Sequence, residues 1–153
     1  MRISSGAWST LNDEKINRSA AGPTAPEPPA GGERWIEVNL SGQFMIAWQG
    51  DVEVNSTLVS TGRPGFDTPA GTFFINSKIE VQDMEGVIGG EYYNVPEVPH
   101  VLYFTNVGHA FHGTYWHNNF GQVMSHGCVN LPMDVAAWMY DWTPSGTPVL
   151  IVD

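Results

Sequence analysis

Apolar and polar residues alternate along much of this chain in short runs, each closed by a glycine-containing turn. In residues 35–40, Ile36, Val38 and Leu40 alternate with Glu37 and Asn39, a period of two that predicts a half-buried strand. Ser41-Gly42 turns the chain, and in residues 43–49 Phe44, Ile46 and Trp48 share one face. Gly50-Asp51 makes the next turn, and residues 52–61 read as a third strand, so an antiparallel meander is expected. The Gly62-Arg63-Pro64-Gly65 cluster then interrupts the pattern, and a strand resumes at Phe73 to Ile75 after Pro69 and Gly71. Residues 76–99 carry Gly86, Gly89, Gly90, Pro96 and Pro99 and show no clear period. They read as an irregular segment, either a lid or binding loop or a decorated β-hairpin. Residues 100–105, 109–113 and 124–131 read as short strands. Only residues 132–142 are spaced as a helix: Val135, Trp138, Met139 and Trp142 fall at i, i+3, i+4 and i+7, with Pro132 suited to the first turn. Residues 149–152, VLIV, form a last buried strand.

The pattern predicts a mainly β fold, mixed sheets or a sandwich, with one short helix near the end. Seventeen glycines and eleven prolines in 153 residues fit that class better than a helical bundle. Residues 19–32, rich in Pro, Ala and Gly, cannot pack a core, so residues 1–32 read as a linker or tail and 33–153 as the folded domain. Charge sharpens this division. The net charge is −10, and acids and bases cancel within residues 1–32, so the domain carries it all: Arg34, Arg63 and Lys78 stand against thirteen carboxylates. Such a surface repels phosphate backbones and anionic lipid, which argues against nucleic acid as a partner. No run approaches the ~20 apolar residues of a membrane span, and no secretory signal is recognisable.

The candidate chemistry lies in His112-Gly113 and in Ser125-His126-Gly127-Cys128-Val129-Asn130. Cys128 is the one cysteine, so it forms no internal disulfide and is either a small buried hydrophobe or a reactive thiol. A thiol needs a base to become the attacking thiolate. His126, two residues away, and His112, on a separate short strand, are both candidates. Gly127 permits close approach of a substrate carbonyl, and the N–H groups of Gly127 and Cys128 are candidate oxyanion donors. Asn130 offers an amide to a substrate carbonyl or carboxylate, or caps the following helix. Ser125 bonds to the site or to backbone, and Tyr115 and Trp116 are packing residues or a groove wall. His109, His112, His117, His126 and Cys128 also raise a zinc site, although no HExxH or paired CxxC accompanies them.

The run HGTYWHNNFGQVMSHGCVNL resembles the signature of L,D-transpeptidases, the YkuD-type catalytic domain, and TPAGTF resembles another segment recurrent there. The resemblance covers about residues 33–153. It implies a β-rich fold with a catalytic groove and no cofactor. It also implies a cysteine-dependent acyltransferase of peptidoglycan synthesis, acting outside the cytoplasm, with any export signal or anchor not in this sequence. Cys128 would attack the L,D bond between residues three and four of a tetrapeptide stem, release D-Ala, and pass the acyl group to an amine to form a 3→3 cross-link. His112 would be the base, oriented by the Gly113 carbonyl. His126, Gly127 and Cys128 would supply oxyanion N–H groups, and Asn130, Ser125, Trp116 and Tyr115 would contact substrate. Asn130 stands where many members carry Arg. Partners implied are the donor stem, an acceptor amine and carbapenem-type inhibitors. L,D-carboxypeptidase action on the same thioester and a non-catalytic peptidoglycan-binding module are the alternatives.

Overall fold

The computed structural model describes residues 33–88 and 90–153; the tail assigned to residues 1–32 lies outside the described residues. The expected meander forms as β1 (Arg34–Asn39), β2 (Phe44–Gln49) and β3 (Val52–Leu58), paired antiparallel. β4 (Gly71–Phe74) and β9 (Pro148–Val152) complete a five-stranded sheet in the order β3-β2-β1-β9-β4. β9 runs parallel to β1 and antiparallel to β4, so the strand closest to the end of the sequence is an interior one. The second sheet holds β5 (Ser77–Ile88), β6 (Glu91–Tyr103), β7 (Ala110–Gly113) and β8 (Val129–Leu131) in that order. α1 (Met133–Trp142) follows β8 directly.

Both sheets and the helix feed one core. It includes Ile36, Val38, Met45 and Ile151 from the first sheet, Leu102, Phe111 and Leu131 from the second, and Val135, Met139 and Trp142 from α1. The helical spacing read from the sequence therefore marks the buried stripe, with Trp138 half-buried and stacked on Trp142. Pro132 is the N-cap and stands in an extended conformation, just before the first turn.

Three expectations are corrected. β1 is not half-buried: Glu37 is 4% exposed and Asn39 0%, because the outer face of this interior strand is also covered. Trp48 folds over that face, donating its Nε1–H to Glu37 at 2.9 Å and stacking on Trp35. Residues 76–99 take the second of their two readings, a hairpin, and are not irregular. They are most of the β5–β6 hairpin, which continues into the strand expected at 100–105, and a bulge between Gln82 and Met84 breaks the alternation that sequence reading needs. The strand expected over 124–131 is shorter. Only Val129–Leu131 form a strand; Ser125 to Cys128 form a bend, and isolated bridges join Ser125 to Gly62 and Asn130 of β8 to Ser60.

Candidate active site

β7 and β8 lie side by side and parallel, with His112 opposite Asn130 and Phe111 opposite Val129. Cys128, immediately before β8, is thereby brought next to Ala110, against which it packs. On this register Cys128 stands two positions before the residue opposite His112. Both line a cleft of about 450 Å³ whose other walls are Trp116, His126 and Asn130 on one side and Met84, Tyr93 and Tyr103 of the β5–β6 hairpin on the other.

The bend that carries the thiol is held from several directions. Ser125 Oγ donates to the Cys128 carbonyl at 2.6 Å and accepts the Gly127 N–H at 3.0 Å. Thr68 Oγ1 donates to the Gly127 carbonyl at 2.7 Å and accepts the Gly62 N–H at 3.0 Å. Gly127 has φ +130°, a conformation that favours glycine, and a Cβ there would press on the His109 ring at 3.1 Å. The turn fixes the sulfur at the edge of the cleft, where Cys128 is half-buried.

Electrostatics set the resting protonation. The apolar surroundings push the Cys128 thiol up to about 11, and the Ala110 backbone N–H offsets only part of that. Burial pushes His112, 3% exposed, down to about 4, against the opposing pull of the Gly113 carbonyl. The pair is therefore neutral thiol and neutral imidazole at rest. His112 Nδ1 donates to the Gly113 carbonyl at 3.0 Å, which leaves Nε2 with the free lone pair.

The other residues singled out in the sequence separate into two groups. Trp116, 41% exposed, lies over the His112 ring and lines the cleft. Asn130 lines it too and is not a helix cap; it sits in β8. Tyr115 is not among the cleft-lining residues: it packs edge-on against Trp116 and donates its hydroxyl to the Pro96 carbonyl. Ser125 borders the cleft, but its hydroxyl is engaged on both sides by the bend, as is the Gly127 N–H. The N–H groups of His126 and Cys128 meet no acceptor among the described residues. The His126 ring, the rival base, is turned to the hairpin: Nε2 lies 2.8 Å from Glu91, Tyr93 stacks on it, and Arg63 donates to the same carboxylate at 2.9 Å. Arg63 first, then His126, holds the Glu91 carboxyl below the usual range. The five residues considered for zinc face different partners, and among the described residues no three His, Cys, Asp or Glu side chains group as a metal site.

Tyr93 and Tyr103, which line the cleft, and Arg63 and Glu91 beside His126 went unrecognised in the sequence. Tyr93 and Tyr103 face the sulfur, and both phenols are raised, first by burial and then by Cys128. Arg63 and Glu91 clasp the hairpin tip to His126. The tyrosines were signalled by alternation in 91–103, hidden by Pro96 and Pro99; the clasp joins residues 28 apart and has no local signal.

Residues 33–151 match the YkuD family, described as the L,D-transpeptidase catalytic domain. Among curated proteins, L,D-transpeptidase 1 of Mycobacterium tuberculosis is 30% identical over 116 residues, which are 71% of this chain and 46% of that protein. The chain thus spans about half the length of the curated relative it matches. Among solved structures, an L,D-transpeptidase from Mycobacterium smegmatis superposes with TM-score 0.74 at 29% identity, over 80% of this chain and 60% of that one. The L,D-transpeptidase LdtMt1 in complex with imipenem gives TM-score 0.73 at 26% identity, over 78% and 58%.

Proposed function

This chain belongs to the YkuD family of L,D-transpeptidase catalytic domains, and on that premise we propose that residues 33–153 form an acyl-transfer enzyme that cross-links peptidoglycan stems. The observation that carries the reading is that the Cys128 sulfur and the His112 ring open onto one cleft, with the ring's Nδ1 held by Gly113 so that Nε2 is left to accept a proton.

In the proposed reaction a tetrapeptide stem lies in the cleft with the carbonyl of its third residue over the sulfur. The thiol proton passes to His112 Nε2 as the sulfur attacks that carbonyl carbon. Negative charge on the carbonyl oxygen is met by the N–H groups of His126 and Cys128, the two left free in the bend, and such a donor is typically worth about 3 kcal/mol of barrier. Collapse breaks the C–N bond, His112 returns the proton to the departing D-Ala amine, and a thioester remains. The amine of a second stem then attacks the thioester. His112 takes its proton and delivers it to the sulfur, and a 3→3 cross-link forms. Trp116 and the hairpin tyrosines wall the groove, and the enzyme works on the wall side of the membrane, where stems are found.

Intact mass spectrometry with imipenem tests the nucleophile: a stable adduct is expected on the wild type and none on Cys128→Ser. With a disaccharide-tetrapeptide as sole substrate, dimeric product is expected. Tripeptide without dimer would assign the domain to carboxypeptidase action, and neither adduct nor product would reject the proposal. His112→Ala should lower turnover by at least ~100-fold.

A further inference from the structure

The bend offers one oxyanion donor fewer than the family resemblance implies, because Ser125 Oγ accepts the Gly127 N–H at 3.0 Å. A side chain stands beside the missing donor. His109, just before β7, is half-buried and lines the cleft. Its ring lies against Gly127: Cδ2 and Nε2 are 3.1 and 3.2 Å from the place a Gly127 Cβ would occupy. The preceding residue, Gly108, presents its carbonyl to the Cys128 sulfur at 3.7 Å, so the same turn flanks the thiol. Thr105 decides what the His109 ring presents. Its Oγ1 accepts the backbone N–H of His109 at 3.0 Å and that of Val107 at 3.3 Å. Both lone pairs of the hydroxyl are then engaged. The remaining contact, 2.9 Å to His109 Nδ1, is left for the hydroxyl proton, so Nδ1 accepts it and is bare. Burial lowers the His109 pKa, which favours the neutral ring. A neutral ring with a bare Nδ1 carries its proton on Nε2. Nε2 has no hydrogen-bond partner among the described residues and is not among the buried atoms that lack one, so it is open to the cleft.

We propose that His109 is a further catalytic residue, a side-chain oxyanion donor: its Nε2–H, beside Gly127, donates to the carbonyl oxygen of the stem's third residue as Cys128 attacks. As the S–C bond forms, the carbonyl π pair moves onto that oxygen. His109 keeps its proton and supplies only the hydrogen bond, while the thiol proton goes to His112. The side chain joins the N–H groups of His126 and Cys128 and stands in for that of Gly127. The proposal rests on the cleft being the site of acyl transfer, and it makes Thr105 the residue that fixes the tautomer.

Three measurements test it, and the first needs no turnover. Long-range 15N–1H correlation spectra of the histidine-labelled protein at pH 7 should show His109 protonated on Nε2 and bare on Nδ1; a proton on Nδ1 overturns the proposal whatever the protein does with stems. The second is steady-state kinetics with a tetrapeptide donor. His109→Phe should lower kcat about 100-fold with KM changed by less than about twofold, the pattern of a contact made only in the transition state. His109→Gln, whose amide places a donor near Nε2, should recover most of that loss. The third reads the contact itself, by infrared difference spectroscopy of the imipenem adduct. The thioester carbonyl should stretch at a higher wavenumber in His109→Phe than in wild type, because a hydrogen bond to the oxygen weakens C=O; a ring that only packs would leave the band unmoved. If the adduct forms and either that band or kcat of His109→Phe matches wild type, or His109→Gln is as impaired as His109→Phe, this proposal fails while acyl transfer stands. No adduct on the wild type rejects both.

Discussion

A neutral imidazole beside a neutral thiol is what burial imposes on His112 and Cys128, and two pH effects follow. His112 titrates near 4 when folded and near 6.5 when unfolded, so between those values the unfolded chain binds a proton that the folded one refuses. Its contribution to stability is complete above about 6.5 and is lost as pH falls towards 4, by roughly 3 kcal/mol. Urea unfolding of wild type and His112→Gln at pH 7 and pH 4 should show this as the difference between their pH dependences. Cys128 acts at the other end, with stability falling as pH rises from about 9 to about 11. The same values bear on reactivity. Alkylation of Cys128 by iodoacetamide should climb steadily above pH 8 without a plateau near neutrality. A plateau below pH 7 would mean a preformed thiolate–imidazolium pair. The acyl-transfer reading therefore makes proton transfer part of the attack.

Among the elements, the β5–β6 hairpin is tied by side-chain contacts to residues beyond its own sheet. Glu91, at its tip, links it to Arg63 and His126 beside the thiol, and Tyr93 stacks on the His126 ring. Removing the carboxylate should free the tip. In Glu91→Ala, amide exchange across residues 84–95 is expected to accelerate while β7 and β8 keep wild-type protection. High salt should act on the wild type in the same direction, because these charges are exposed and screened. The hairpin also marks the limit of what the sequence revealed. The meander and α1 were legible because their periods are uninterrupted: Phe44, Ile46 and Trp48 do share a face, and Val135, Met139 and Trp142 do point inward. The hairpin was ambiguous because a bulge and two prolines break its alternation. The bend at Ser125 to Cys128 passed for a strand because the extended residues that follow it hide a turn that rests on Thr68, far away in sequence. At the site, SHGCVN and HG gave the pair of side chains to examine. The Ser125 bonds are local to the bend, but the engagement of Gly127 with Thr68 and of His126 with Glu91 depends on tertiary contacts that no local pattern encodes.

At the scale of the whole molecule, stability rests on a sheet closed late in the sequence. β9 lies between β1 and β4, and Val149 and Ile151 turn into the core shared by both sheets and α1. Ile151 is 1% exposed, so Ile151→Ala should cost about 2–5 kcal/mol in urea unfolding, with little change in the slope against denaturant. A cost below about 1 kcal/mol would show that the two sheets do not share a packed interior there. Pairings such as Ile36 with Val149 join positions more than a hundred residues apart, which predicts folding in milliseconds to seconds.

The same pairing has a consequence during synthesis. Until β9 emerges, the inner edge of β1 has no neighbour, and the residues that will be most deeply covered remain open to any passing strand. A chain interrupted before residue 148 would carry the cleft residues His112 and Cys128 but an unfinished middle. Its unpaired edge and open apolar face would make it prone to clump and a target for chaperones and proteases.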